Sequence, residues 1–360
     1  MSIEFKIDAK SKYNLDTYSG RLKHFFKLTN PFSFFISDKT IYEKKRMLED
    51  YTKNIKSIKK QMLDKKDIDN NVNQINKENP ITSNNHNIKN NAKTSFLLTE
   101  QEFNKLWDAK YLVDATFHPD TKEKIPKLFR VNSFTIANVP IIVGLIVFPV
   151  TKFNLMFFNI ANQSYNATLN YYIGSKTSDG NNNNHQLIIS FILAVSSSLG
   201  AAFLFKRVLG DCSKSVTKSI IQRVVPSCIA GFINLFFMRS SYFTKGLSFS
   251  DANGNQLGTS KKIGTKAMLE GAVSRIILPM PLVISILMIN KMQSIGIRGI
   301  KLKVSEVILC GVFISLGLPI SIALFNQTGK AHFSKLEKEN LLKLKLLNYK
   351  EDYIYYDKGL

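Results

Sequence analysis

The chain of 360 residues carries 49 Lys and Arg against 27 Asp and Glu, a formal charge of +22, at a near-neutral mean hydropathy of −0.06. The basic residues are scattered and often adjoin acids, as in Tyr42-Glu43-Lys44-Lys45-Arg46, so the one-sided basic face of a nucleic-acid reader is missing and no nucleic-acid partner is expected. Cys212, Cys228 and Cys310 include no CxxC pair, which excludes a disulfide framework and a zinc site; no metal and no cofactor are expected.

The mean hydropathy conceals two unlike halves: Met1 to Arg130 is polar and Lys-rich, whereas from Phe134 to Gln327 long apolar runs alternate with short polar ones. At the start, Glu4, Asp8 and Asp16 argue against an acid-poor transit peptide, so any organelle address is expected to be internal. Residues 1–66 read as an amphipathic, interfacial region, with a piece such as Leu22 to Phe35 lying along a membrane surface. Residues 67–95 are dominated by Asn, too polar to bury a core, and read as a disordered insertion. Residues 96–136 form a block ahead of the membrane that holds His118-Pro119-Asp120-Thr121. That tripeptide also marks the J-domain co-chaperones, but here Leu128 to Phe134 leads straight into an apolar run, the wrong setting for a J-domain. It serves either as a turn or at a pore entrance, where His118 and Asp120 would meet the solute.

Residues 137–327 read as a transmembrane domain with about five spans, at 137–158, 187–205, 220–237, 268–289 and 304–325. Each is close to the ~20 helical residues that cross a ~30 Å hydrocarbon core. Lys152 interrupts the first, which is either one tilted span or a shorter one followed by an interfacial helix. Basic loops balance on the two sides, so the orientation stays open. Asp251-Ala252-Asn253-Gly254-Asn255 lacks the glutamate of a calcium loop at its twelfth position, Lys262, and reads as the turn of a small hairpin. Residues 328–360 are left as a C-terminal tail.

Polar groups inside the apolar runs carry the functional reading. Arg275 lies seven residues into the fourth run, ~10 Å along a helix, where a cation either snorkels to the near interface or engages an anion. Asn162, Gln163, Ser164 and Asn166, with Asn138 and Asn234, supply neutral donors and acceptors that lipid would penalise, so they are expected to face inward and touch solute. Ser196 to Ser198 fit a helix-packing role. Pro140, Pro149, Pro226, Pro279, Pro281 and Pro319 each remove a backbone hydrogen bond, which predicts broken helices exposing amides at mid-membrane.

Several blocks carry a family resemblance. Gly20-Arg21-Leu22-Lys23-His24-Phe25-Phe26 with Thr29-Asn30-Pro31, then Leu106-Trp107-Asp108-Ala109-Lys110-Tyr111, the His118 block, Asn162 to Ala167, Asp251 to Gly258, Val273-Ser274-Arg275-Ile276, Ala323-Leu324-Phe325 with Gln327, and Lys358-Gly359-Leu360 stand in the order found in sideroflexins. The chain resembles that family over nearly its whole length apart from the Asn-rich insertion. It departs at Lys122, where the family usually has Gly, and at Asn326, where it usually has Pro. The resemblance implies an all-α, polytopic carrier of the mitochondrial inner membrane, with serine as substrate and alanine, cysteine or glycine as relatives. Some members instead support respiratory-complex assembly or iron handling. No nucleophile, base and orienting group occur together, so an enzyme is not expected.

Overall fold

A computed structural model describes residues 9–75, 98–148, 151–173, 184–210, 215–346, 349 and 351–358. They fall into two compact units, one of Phe35–Phe117 with the stretch ending at Lys12, the other of Tyr13–Phe34 with the chain from His118 onward.

In the first unit, α2 (Asp38–Ile75) packs against α3 (Glu100–Thr116). Its small core gathers Ile41, Leu112 and Phe117, with Lys45 4.2 Å above the Phe117 ring. Helix α3 starts at a capping box: Thr99 accepts from the Glu102 N–H while the Glu102 carboxylate accepts from the Thr99 N–H. The expected disordered insertion is corrected at its start, because residues 67–75 continue α2. Its remainder to residue 97 lies outside the described residues.

The second unit opens with α1 (Tyr18–Leu28) and continues, after the His118 turn, with α4 (Phe134–Val147), α5 (Lys152–Ile173), α6 (Asn184–Leu209), α7 (Val216–Met238), α8 (Lys261–Ile277), α9 (Met280–Ser294) and α10 (Gly299–Ala323). Of the two readings of the first apolar run, the single span 137–158 is not what forms; a shorter helix is followed by a second one. Helix α4 has 14 residues, ~21 Å of rise, and is too short for a bilayer core. The chain leaves the helix at Phe148, extended at φ −78° and ψ 152°, because the following residue is Pro149 and a residue before proline is driven from the helical region. A separate helix α5 then runs through the Asn-rich segment. Among the described residues four helices are long and apolar enough to cross a membrane: Leu187–Leu209, Ile220–Met238, the 34-residue stretch Lys261–Ser294, and Gly299–Ala323.

The proline expectation holds at one place among the described residues. Pro140, Pro226 and Pro319 sit inside unbroken helices, where a lone proline removes a single bond. Pro279 and Pro281, two residues apart, interrupt Lys261–Ser294 between α8 and α9. There a Cβ added at Gly317 would lie 2.7 Å from the Leu278 carbonyl oxygen, so only glycine lets α10 approach the break this closely.

The helices close into a ring: α4 packs on α5, α5 on α6, α6 on α7, α7 on α8 and α9, these on α10, and α10 back on α4. Helix α1 docks on the end of α10 through Arg21, whose guanidinium donates to the carbonyls of Ala323 at 2.7 Å and Leu324 at 3.3 Å. This supplies partners to carbonyls at the C-terminal end of α10.

The expected hairpin is present as β1 (Leu247–Ser250) and β2 (Gln256–Ser260). Asp251 closes its turn by accepting from the N–H groups of Asn253 and Asn255 at 2.9 and 2.8 Å. What was expected to be a tail instead folds against it. Strands β3 (Thr328–His332) and β4 (Tyr353–Asp357) complete an antiparallel sheet of order β2-β1-β4-β3, and α11 (Lys338–Leu346) joins them. The alternation that puts Leu247, Phe249, Ile354 and Tyr356 on one face buries them with Ala331, Leu336, Leu344 and the first turns of α8, through Ile263 and Ala267.

Two stability predictions follow from this geometry. Lys122 sits at φ 58°, a left-handed conformation that costs a non-glycine residue about 1–2 kcal/mol; after the entropy glycine adds to the unfolded chain, Lys122→Gly should stabilise by about 0.5–1 kcal/mol, read as a raised Tm. Burial pushes the Glu337 carboxyl up, but the Lys262 N–H, Ser260 hydroxyl and Asn340 amide that it accepts from hold it at about 2. A depressed folded-state value adds stability that is complete above pH ~4.5, the unfolded value, and is lost as pH falls toward 2. Thermal melts between pH 2 and 6 should show that slope, and Glu337→Gln should flatten it.

Candidate functional site

Between the helices of the ring lies a partly open cavity of about 100 Å³, several times what one ordered water needs. Helix α4 contributes Phe134, Asn138 and Ile142 to its lining, α5 contributes Asn162, Gln163, Asn166 and Asn170, and α7 contributes Ser227, Gly231 and Asn234. Arg275 enters from the last turn of α8, directly before the helix break, whose Leu278, Pro279 and Leu282 form the adjoining wall. Positions 162, 163, 166 and 170 recur at the 3.6-residue period, so one face of α5 presents a column of carboxamides.

Hydrogen bonds to neutral acceptors hold these groups. Asn138 Nδ2 donates to the Phe134 carbonyl at 2.9 Å, Asn166 Nδ2 to Asn162 Oδ1 at 3.4 Å, and Arg275 Nη2 to Asn170 Oδ1 at 3.3 Å. Among the described residues no carboxylate pairs with Arg275, and the lining contains no acid. The cavity therefore sets six carboxamides and one cation among apolar walls, with no acid in the lining to compensate the charge. Arg239 stands close enough to add to that positive field.

Of the residues singled out from the sequence, Arg275, Asn138, Asn162, Gln163, Asn166 and Asn234 meet in this one space. Ser164 does not line it, lying about 100° round the helix from Gln163. His118 and Asp120 are also elsewhere. His118 is 3% exposed, and its Nδ1 accepts from the N–H groups of Asp120 at 3.1 Å and Thr121 at 3.3 Å, which makes it the organiser of a turn; Asp120 itself is exposed. The backbone of this tripeptide forms a turn. Ser198 takes the packing role expected of it, donating to Asn159 Oδ1 at 2.8 Å and joining α6 to α5. Sequence reasoning passed over Asn170, Ser227 and Gly231. Asn170 was findable as the next step of the α5 column, four residues beyond Asn166. Gly231 gave no such signal; a Cβ there would make ordinary contact with Arg275 Cβ at 3.6 Å.

A second set of charges ties α8 to the sheet. Lys358, at the end of β4, forms an ion pair with Glu270, about one turn before Arg275. The Lys358 N–H donates to the Gln327 carbonyl at 3.0 Å, and Arg239 Nη1 donates to the Lys358 carbonyl at 2.7 Å. The C-terminal strand thereby holds the ends of α7, α8 and α10 together.

Four long apolar helices among the described residues define a multi-pass helical membrane protein, and three of them join α4 and α5 in lining the cavity. The chain belongs to the sideroflexin family, whose model matches residues 8–73 and 65–360. Sideroflexin-5 of Rattus norvegicus is 27% identical over 339 residues, 92% of this chain and 86% of its own length. Sideroflexin FSF1 of Saccharomyces cerevisiae is 27% identical over 92% of this chain and 90% of its own, and Sideroflexin-1.1 of Caenorhabditis elegans 26% over 98% and 96%. No solved structure matches the chain.

Lys358→Ala would leave the largely buried Glu270 with only the 3.9 Å contact to Lys266. Removing one partner of such a pair costs about 3 kcal/mol or more. Thermal unfolding in detergent should show that loss, and the double change Glu270→Gln with Lys358→Met should recover most of it.

Proposed function

We propose that this protein carries small neutral amino acids, serine first among them, across the mitochondrial inner membrane by alternating access to the Arg275 cavity. The observation that supports this most directly is the guanidinium itself, held among apolar helices, bonded to a neutral carboxamide and facing the cavity. A cation costs about 2.5–3.5 kcal/mol at the centre of a spanning helix, and one that persists there serves a wet path or an anion. Its planar fork suits a carboxylate in bidentate fashion.

A zwitterion brings a carboxylate for Arg275 and an ammonium for carboxamide oxygens such as those of Asn162 and Asn138. Serine adds a hydroxyl that can donate to or accept from a further amide. Size and charge argue against larger or acidic solutes: about 100 Å³ leaves little space beyond a short side chain, and a second carboxylate would find no second cation in the lining. The break at Leu278–Pro279 directly follows Arg275, which gives the carrier a hinge beside its site. The mitochondrial inner membrane is the location that family resemblance implies.

Uptake of labelled serine by proteoliposomes tests the reading. Loss of a charge-assisted hydrogen bond is worth ~1.5–3 kcal/mol, so Arg275→Ala should lower serine uptake roughly 10- to 100-fold. Arg275→Lys keeps the charge without the fork and should fall between. Well-folded, reconstituted protein that moves no small amino acid would replace the carrier with a membrane scaffold for respiratory-complex assembly.

A further inference from the structure

Beside the main cavity the structure holds a second, narrower one of about 10 Å³, roughly the space of one water. Its walls are Leu145 of α4, Leu155 and Asn159 of α5, Gln222 and Pro226 of α7, and Ala202 and Lys206 of α6. Three of these four helices also line the main cavity, α4 and α5 on the same faces. Along α4 the lining positions run 138, 142 and then 145, and along α5 they run 170, 166, 163, 162 and then 159; on α7 the lining passes from Asn234, Gly231 and Ser227 to Pro226 and Gln222, 100° or more round the helix from Ser227. On each helix the step between cavities is a turn or less, ~5.4 Å at most.

The polar character continues across that step. Asn159, 3% exposed, extends the α5 carboxamide column, which spans eleven residues or ~16 Å from Asn170. Gln222 donates through Nε2 to the Phe205 and Gly210 carbonyls at 3.3 and 3.1 Å, which leaves its Oε1 as the remaining acceptor. The cavity lies at the last turn of α6, where Lys206 supplies a cation.

Resting on the carrier reading above, we infer that this second cavity is the far end of the same solute path, closed here by Leu145, Leu155 and Pro226, and that Lys206 is the station that receives the carboxylate as it leaves Arg275. The solute is a small monocarboxylate passed from one cation to another along neutral amides. Asn159 and Gln222 also bond to Ser198 and to backbone carbonyls, and they line the void while doing so; a route between two aqueous sides needs polar groups along its length.

Cysteine accessibility in the full-length, reconstituted protein tests this, with Cys212, Cys228 and Cys310 replaced. Ala202→Cys and, as a second reporter, Leu145→Cys should react with a cationic methanethiosulfonate, and saturating serine should slow that reaction severalfold. Lys206→Met should lower the maximal serine uptake rate about tenfold with little change in half-saturation, and Lys206→Arg should restore it. Inert Ala202→Cys and Leu145→Cys beside a reactive Asn166→Cys, with wild-type uptake by Lys206→Met, would overturn the path and leave the carrier reading intact. If Asn166→Cys is inert from both sides as well, the carrier reading falls and takes this inference with it.

Discussion

A guanidinium inside a ring of apolar helices must be answered by the protein itself, because hydrocarbon supplies no donors, acceptors or counter-ions. Here the answer is a set of carboxamides rather than a carboxylate. Arg275 donates to Asn170, and Asn138, Asn162, Gln163, Asn166 and Asn234 line the same space. Carboxamides satisfy hydrogen bonds in both directions without neutralising the cation. The field of Arg275 is therefore retained in the cavity instead of being cancelled by an ion pair, and the surrounding fold serves to hold that arrangement in place.

Closure of the ring depends on how α4 and α10 meet and on how α8 ends. Helix α4 is too short to span but completes the ring by packing on both α5 and α10. The paired prolines stop α8 right after Arg275, and the glycine at 317 lets α10 come against the exposed Leu278 carbonyl.

The sheet at the other end of α8 anchors the same helix from outside the apolar ring. Ser260 caps its first turn by accepting from the Ile263 N–H at 3.2 Å, while Glu337 accepts from the Lys262 N–H. Lys358 reaches Glu270 further along, and Arg239 at the end of α7 donates to the Lys358 carbonyl. One short strand therefore couples the ends of three helices that line or border the cavity, so disorder in the sheet would be felt at Arg275.

Much of this was legible in order along the chain. Apolar runs of the right length marked the four spanning stretches, the depth of Arg275 in its run marked it as an expensive charge, and Asp251-Ala252-Asn253-Gly254-Asn255 specified a hairpin, all through local composition and spacing. The sequence also bounded the polar candidates, since Asn and Gln in apolar helices must turn inward. Only the tertiary structure decided which of them converge: six share one cavity, while Ser164 faces away and the His118 ring is taken up by its own turn. It also decided that α4 stops short of a span, that Pro279 and Pro281 break a helix where Pro226 does not, and that residues 328–332 and 353–357 form strands. The physical reason is one of range. Helix length, caps and turns are settled within a few residues, whereas a cavity, a sheet partner and the role of a glycine such as Gly317 are defined by atoms tens or hundreds of positions away.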